Sequence, residues 1–369
     1  MPEVLFVAGE ASGDLHAAGV AEELRKLRPD LTLTGFGGDL MKAAGVELFD
    51  EYESGVMGFL EVIRHIPRHF ALLETIRDRL DSGNVKLLVV IDYPGFNMKA
   101  AAAAKEANVP VLYYVTPQVW AWGEGRLPKL ARIVTKAAVI LPFEEQLLRG
   151  HGIDATFVGH PLLDRAGELP SKRDARETLG LSDSSPVLAL FPGSRQQEID
   201  RHIDDFVDTA RELEKARPGL QTVVSVARTI SLDPKRCPFK LVHSASFTVL
   251  RAADAALCKS GTTTLEAAIA DCPLVVAYRT SEISYFLARL MVKIPHIGLV
   301  NVVAGREVAK EFVQDDLVPK RVAVQLEQLI DPSSPERARL LEGLAEVRAK
   351  LGEPGAARRV AEMASALAQ

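Results

Sequence analysis

The chain has 369 residues, 47% of them hydrophobic and 25% charged. At about 150 residues per domain this is room for two domains, each able to bury a core. The balance excludes a disordered, collagen-like or disulfide-stapled chain. A net charge of −5 argues against a surface built to neutralise nucleic-acid phosphates. Cys237, Cys258 and Cys272 lie far apart with no C-x-x-C pair, the pattern of reduced thiols rather than of a zinc site. No apolar run approaches the ~18 residues needed to cross a bilayer, and the first residues lack the basic start of a signal peptide. A soluble or peripheral protein is expected.

Val4 to Ala8 reads as a buried strand. It runs through Gly9-Glu10-Ala11-Ser12-Gly13-Asp14 into a helix carrying Leu15, Ala18, Val20 and Leu24. Strand, small-residue turn and helix make the first unit of a parallel α/β sheet. Buried-strand runs recur at 87–91, 111–115 and 137–141 with helical patterns between them, as right-handed βαβ units require. The theme restarts at 187–191 and continues at 222–226, 255–257 and 274–277. The polar stretch 164–186 is the expected crossing point. The fold expected is α/β, two Rossmann-like domains facing each other across a cleft, with ligands at the carboxyl ends of the strands. The boundaries expected are 1–165, 166–345 and a C-terminal helix, 346–369, whose return to the first domain the sequence leaves open.

Three places carry candidate chemistry. Ser260-Gly261-Thr262 ends a strand and opens a helix with small residues, a setting that suits a phosphate or an ordinary helix cap. Glu266, one turn further, is placed to meet ribose hydroxyls or to sit in solvent. Gly193-Ser194-Arg195 is a second such loop, and Arg195 adds a guanidinium fork for phosphate oxygens. Neither loop is a Walker A, and no G-x-G-x-x-G occurs. Asp92, directly after the strand ending at Ile91, is a candidate general base or a turn residue before Pro94. Glu10, Ser12, Asp14 and His16 cluster after the first strand, with His16 also readable as a structural histidine.

Two segments have amphipathic character. Apolar residues from Val56 to Leu80, among them Phe59, Leu60, Ile63, Phe70, Leu73 and Ile76, trace one helical face, with Met57 off it and Arg64, His65, Arg68 and His69 on the polar side. Pro67 is expected to end or kink the first helix there. Residues 285–293, including Phe286 and Met291, mix bulky apolar side chains with two cations. Such segments lie in a bilayer interface or pack on a core.

Taken together, the ordered motifs resemble the lipid-A-disaccharide synthase family. They are Gly9 to Asp14, Ile91-Asp92-Tyr93-Pro94-Gly95-Phe96-Asn97, Thr116-Pro117-Gln118-Val119-Trp120-Ala121-Trp122, Pro142-Phe143-Glu144, Phe157 to Pro161, Pro192 to Arg195, Ser260 to Glu266 and Asn301 to Glu307. The resemblance implies a glycosyltransferase B fold and an inverting transfer of 2,3-diacylglucosamine. UDP-diacylglucosamine is the donor and diacylglucosamine 1-phosphate the acceptor. It implies no cofactor and no metal, so backbone N–H groups and cations must stabilise the leaving UDP. Asp92 is the implied base, with Glu10 and His16 behind it. Gly193, Ser194, Arg195, Ser260, Gly261, Thr262, Glu266, Asn301, Arg306 and Glu307 are the implied donor residues, and Ser12, Asp14, Tyr93 and Gln118 the acceptor residues. Val56, Met57, Phe59, Leu60, Ile63, Phe286 and Met291 become the expected acyl or membrane contact, which places the protein in the cytoplasm, peripheral on the inner membrane. Gly95 stands where some members carry a second Asp, which throws weight onto Asp92. The rival readings are a sugar-nucleotide epimerase and a non-catalytic nucleotide-sugar binder on the same fold.

Overall fold

The computed structural model describes residues 2–49, 66–121, 123–227, 230–282, 285–286 and 294–369. They form two compact units, Met1–Asp164 with Gly352–Gln369, and Arg165–Leu351.

The strands of the first unit are β1 (Glu3–Ala8), β2 (Thr32–Phe36), β3 (Glu47–Leu48), β4 (Val85–Ile91), β5 (Val111–Tyr114), β6 (Lys136–Val139) and β7 (Ala155–Phe157). Their order is β3-β2-β1-β4-β5-β6-β7, and the paired strands run parallel. The helices between them are α1 (Ala11–Leu27), α2 (Asp39–Ala43), α3 (Ile66–Asp81), α4 (Pro94–Glu106), α5 (Leu127–Ile133) and α6 (Pro142–Arg149). A parallel sheet covered on both faces needs strands that are apolar on both sides, which is why β1 and β4 read as continuous hydrophobic runs. Leu5 and Val7 go to one core with Leu73 and Ile76 of α3 and Phe96 of α4. Val4, Phe6 and Ala8 go to the other with Ala17, Val20 and Leu24 of α1. Leu15 of α1, by contrast, is 45% exposed.

In the second unit the strands are β8 (Val187–Phe191), β9 (Gln221–Val226), β10 (Lys240–His243), β11 (Ala255–Lys259), β12 (Leu274–Tyr278) and β13 (Glu311–Val313). The order is β10-β9-β8-β11-β12-β13, again with parallel pairs. Its helices are α7 (Lys172–Thr178), α8 (Gln196–Ala216), α9 (Ser246–Ala252), α10 (Thr263–Ile269), α11 (Leu299–Ala304), α12 (Pro319–Ile330) and α13 (Pro335–Lys350). The last helix, α14 (Ala356–Leu367), belongs to the first unit and packs along α1, where Val360, Ala361 and Ala364 join its core. Asp164 caps that helix by accepting from the Gly355 and Ala356 N–H groups. The chain thus crosses after Asp164 and again after Leu351, where the sequence reading sets 165 and 345.

Both sheets reverse strand order once, between β1 and β4 and between β8 and β11. In open α/β sheets the crevice beyond the carboxyl ends of such strands is where ligands bind. Glu10 and Asp92 follow one pair of strands, and the Gly193 and Ser260 loops follow the other.

The amphipathic pattern of 56–80 divides. Leu73, Ile76 and Leu80 of α3 are core residues, whereas Phe70 is 58% exposed with Lys99 Nζ 5.5 Å from its ring centre. Phe286 is 64% exposed. Val56, Met57, Phe59, Leu60, Ile63 and Met291 lie outside the described residues. Among the described residues no helix is long and apolar enough to cross a membrane.

Candidate active site

At the carboxyl end of β4 the backbone leaves the ordinary regions. Asp92 (φ 50°) and Tyr93 (φ 45°) are consecutive left-handed residues, neither of them glycine. Such a conformation costs about 1–3 kcal/mol per residue and persists only where the surroundings over-determine it. Here they do. Asp92 N–H donates to Tyr114 O at 3.0 Å. Its carbonyl accepts from Asn97 Nδ2 at 2.7 Å and from the Tyr113 hydroxyl at 2.9 Å. Asn97, fully buried, also donates to Ile91 O at 3.0 Å. All these partners hold the main chain of Asp92, and its side chain is half-buried. Beside it, Gly9 has no room for a side chain, since a Cβ there would lie 2.3 Å from Tyr93 Cδ1. The glycine lets the Tyr93 ring lie against the turn that carries Glu10.

The neighbouring candidates divide by role. Ser12 is exposed on the first turn of α1, Glu10 is half-buried just before it, and Gln118 is exposed after β5. Asp14 is already engaged within the fold. It is 8% exposed, and its carboxylate accepts from Gly38 N (2.8 Å), Leu40 N (3.1 Å) and Met41 N (3.0 Å). Both oxygens are committed to the start of α2, so Asp14 fixes that helix rather than meeting an acceptor. His16 packs edge-on against Tyr114, with ring centres 5.9 Å apart. Burial, partly opposed by Asp164, lowers its pKa to about 4. That leaves a neutral but weak base, behind Asp92 on chemical grounds.

The second unit carries the other loops. Gly193 adopts φ 148°, and a Cβ there would lie 2.5 Å from Glu198 Cβ. This close approach lets Glu198 Oε2 accept from Ser194 N at 2.9 Å while Oε1 accepts from Lys259 Nζ at 2.8 Å. Burial pushes the Glu198 carboxyl up, but Lys259 and the Ser194 N–H outweigh it and leave it below the usual range. Arg195, exposed, precedes the 21-residue α8, whose N-terminal N–H groups favour an anion. In the next loop Ser260 Oγ donates to Ile297 O at 2.7 Å, and Thr264 Oγ1 to Gly261 O at 2.9 Å. The loop is stapled by its own hydroxyls, with Thr262 exposed and Gly261 half-buried. Burial raises the Glu266 carboxyl pKa, opposed by a hydrogen bond from Ser246 and by Arg165.

Asn301 is likewise engaged within the fold. It is 0% exposed, and its amide donates to Ala309 O (2.7 Å) and Glu311 Oε1 (2.8 Å) while accepting from Val308 N (2.8 Å) and Ala309 N (2.9 Å). Nothing of it is left for a donor substrate. Glu311 in turn accepts from Ile297 N and Gly298 N, so Asn301 braces the segment to which Ser260 is bonded. Arg306 and Glu307 are exposed and pair with Glu346 (2.6 Å) and Lys310 (3.2 Å).

The chain matches known proteins over nearly its whole length. The family described as lipid-A-disaccharide synthetase matches residues 4–356. The chain belongs to this family. A lipid-A-disaccharide synthase of Myxococcus xanthus is 43% identical, covering 98% of this chain and 96% of that protein. One of Geobacter metallireducens is 39% identical, covering 97% and 95%. Among solved structures, the UDP-GlcNAc 2-epimerase of Neisseria meningitidis bound to UDP-GlcNAc superposes with a TM-score of 0.68 at 16% identity, covering 99% of this chain and 100% of that one. The epimerase of Methanocaldococcus jannaschii gives 0.59 at 12% identity, covering 99% and 100%. At these identities the likeness is one of fold.

Within the lipid-A-disaccharide synthetase frame, several residues that sequence reasoning leaves without a role become visible. Lys259 and Glu198 join the two loops at the β8–β11 switch. His202, on α8, is fixed between Glu198 O (2.6 Å, from Nδ1) and Arg279 N (2.8 Å, to Nε2). Trp120 Nε1 donates to Glu144 Oε1 at 3.0 Å, locking two of the family motifs together. Burial raises Glu144 to about 7, despite hydrogen bonds from Leu141 N and Trp120. Apart from the local bonds to Glu198 O and Leu141 N, these partners lie 24 to 77 residues along the chain, too far for spacing to reveal.

His16 and His160 predict an acid limit for the first unit. Burial lowers His160 to about 3, with His16 adding to the effect, and His16 itself lies at about 4. The unfolded chain takes up these protons below its ordinary value of 6.5, and the folded unit refuses them. Stability from this source is intact above pH 6.5 and drains away as the pH falls to about 4. Urea unfolding from pH 7 to 4.5 is expected to show a falling midpoint, flattened in His160→Gln. A wild-type midpoint that does not fall would refute it.

Proposed function

We propose that this chain transfers 2,3-diacylglucosamine from its UDP conjugate to the 6-hydroxyl of 2,3-diacylglucosamine 1-phosphate, with inversion. The products are a β-1,6-linked disaccharide 1-phosphate and UDP. The observation that carries this is the family match from residue 4 to residue 356. The first unit handles the acceptor, with Ser12, Tyr93 and Gln118 around it. Asp92 takes the proton of the 6-hydroxyl as its oxygen bonds to C1 of the donor sugar and the bond from C1 to the phosphate oxygen breaks. The electron pair of that bond leaves with UDP. The second unit handles the donor. The Gly193 N–H, the Arg195 guanidinium and the start of α8 stabilise the diphosphate charge as it develops, with Ser194, Ser260, Gly261 and Thr262 alongside. Glu266 meets the ribose. Asn301 acts indirectly, by bracing the segment under Ser260.

Acyl chains on both substrates call for an apolar margin. Phe70 beside Lys99, and Phe286, are exposed aromatics of the kind an interface takes up. They support peripheral contact with the cytoplasmic face of the inner membrane. Co-sedimentation with anionic vesicles at low salt is expected, reduced by a Phe70→Ser/Phe286→Ser double change. Protein that stays in the supernatant removes the contact.

The deciding experiment is UDP release from UDP-diacylglucosamine in detergent micelles, with and without the monosaccharide 1-phosphate. Release that requires the acceptor, with a disaccharide product, supports the transferase. Acceptor-independent conversion of the sugar nucleotide would favour an epimerase, and UDP binding without turnover a binder.

A further inference from the structure

We propose that His69 is a positioning residue for the reaction, acting through Tyr93 to hold the left-handed turn on which Asp92 stands. The inference rests on the reading of Asp92 as the base and concerns what keeps that base in place. Asp92 itself is held by its backbone partners on β5 and α4, namely Tyr114 O, the Tyr113 hydroxyl and Asn97. Tyr93 is the other half of the strained pair, with φ 45° and ψ 58°. A bulky aromatic residue in that region is a genuine outlier, so its side chain must be fastened. The ring lies against Gly9, where a Cβ would come within 2.3 Å of it. Its hydroxyl is 2.6 Å from His69 Nε2. The two rings stack with centres 6.0 Å apart, and Phe96 flanks them at 5.7 and 6.2 Å.

His69 stands on α3, an element 24 residues away in the chain, so the bond ties the far end of the Tyr93 side chain to a separate helix. Without the bond, Tyr93 relaxes toward an ordinary backbone region. The peptide between 92 and 93 then turns and carries the Asp92 carboxylate with it. A displacement of about 1 Å at a reacting group is enough to cost up to about 10²-fold in rate. His69, on a helix apart from the reacting atoms, would therefore set the rate without setting donor affinity.

The test is a double-mutant cycle on the full chain. Tyr93→Phe and His69→Ala are each expected to lower kcat about tenfold, with the donor KM within twofold and the thermal midpoint unchanged. The double variant is expected to be no slower than either single one, as for two ends of one bond. His69→Gln, whose amide reaches the position of Nε2, is expected to recover most of the rate. Wild-type rates in the single variants, additive losses, or a loss that follows the midpoint and is not recovered by Gln would each overturn the proposal. The backbone of His69→Ala, by crystallography, decides independently of activity. Tyr93 leaving the left-handed region supports the tie, and Tyr93 keeping it refutes it. A wild-type protein that shows no acceptor-dependent release would count against the functional reading alone.

Discussion

Asp92→Asn is expected to lower kcat by about 10²–10⁴-fold, the span over which a positioned general base acts, while UDP binds as before. The bonds to Tyr114 O and from Asn97 and Tyr113 hold the main chain of this residue, and the substitution leaves all three in place. Asn also tolerates a left-handed backbone better than most residues, so the turn survives. What disappears is an acceptor for the proton of the 6-hydroxyl, on the first unit, while the diphosphate loops on the second are untouched. UDP release in micelles measures the rate, and calorimetric titration with UDP measures binding. An unchanged kcat would remove Asp92 from the role and move attention to Glu10. His16, with its pKa lowered to about 4 by burial against Asp164's opposing pull, would still be the poorer base.

Asn301→Ala is expected to act on stability, not on donor recognition. The change leaves two buried N–H groups, a carbonyl and one oxygen of Glu311 without the amide that joined them. At about 1–3 kcal/mol for each buried polar group left unpaired, softened where water or relaxation reaches it, a loss of about 3–4 kcal/mol follows. For a unit of this size that is a fall of roughly 6–16 °C in its thermal midpoint. Calorimetry of the ligand-free protein distinguishes the two roles. An Asn that touched the donor would leave the ligand-free midpoint alone and weaken UDP binding. A brace lowers the midpoint first. Asn301→Asp would be worse still, since it sets a second carboxylate at the 2.8 Å contact with Glu311.

These two residues show where sequence reasoning reaches and where it stops. The strands at Val4, Leu87 and Val187 announce themselves because a parallel sheet buried on both faces writes itself as an unbroken apolar run. Thr32–Phe36, reading Thr-Leu-Thr-Gly-Phe, does not, although four of its five residues are buried. The short β3, β7 and β13 are hidden by length, and β10, as long as β5, by the polar Lys240 and His243 at its ends. At the candidate site, Asp92 stands out because a carboxylate directly follows a buried strand, and its role as the base is the proposal that Asp92→Asn tests. Asp14 and Asn301 were read from the same kind of signal, a polar residue in a family motif, and the structure uses both as internal braces. What separates the cases is where each partner lies. Asp14 binds amides 24 to 27 residues away, and Glu198 meets a lysine 61 residues away. Residue type tells that a group is polar, and only the folded chain tells whether its hydrogen bonds are already taken.

The return of α14 to the first unit also sets an order of events during synthesis. The sheet of that unit is complete by β7, yet Val360, Ala361 and Ala364, which cover part of its α1 face, are made only after all of Arg165–Leu351. At 5–20 residues per second this is a delay of about 10–40 s. The second unit then has its whole sequence available before the first does, so the half that begins translation is the half that finishes folding last. An apolar stripe on α1 stays uncovered on the ribosome meanwhile, a natural seat for a holding chaperone. Anything that clips the chain before α14 would leave that stripe bare for good.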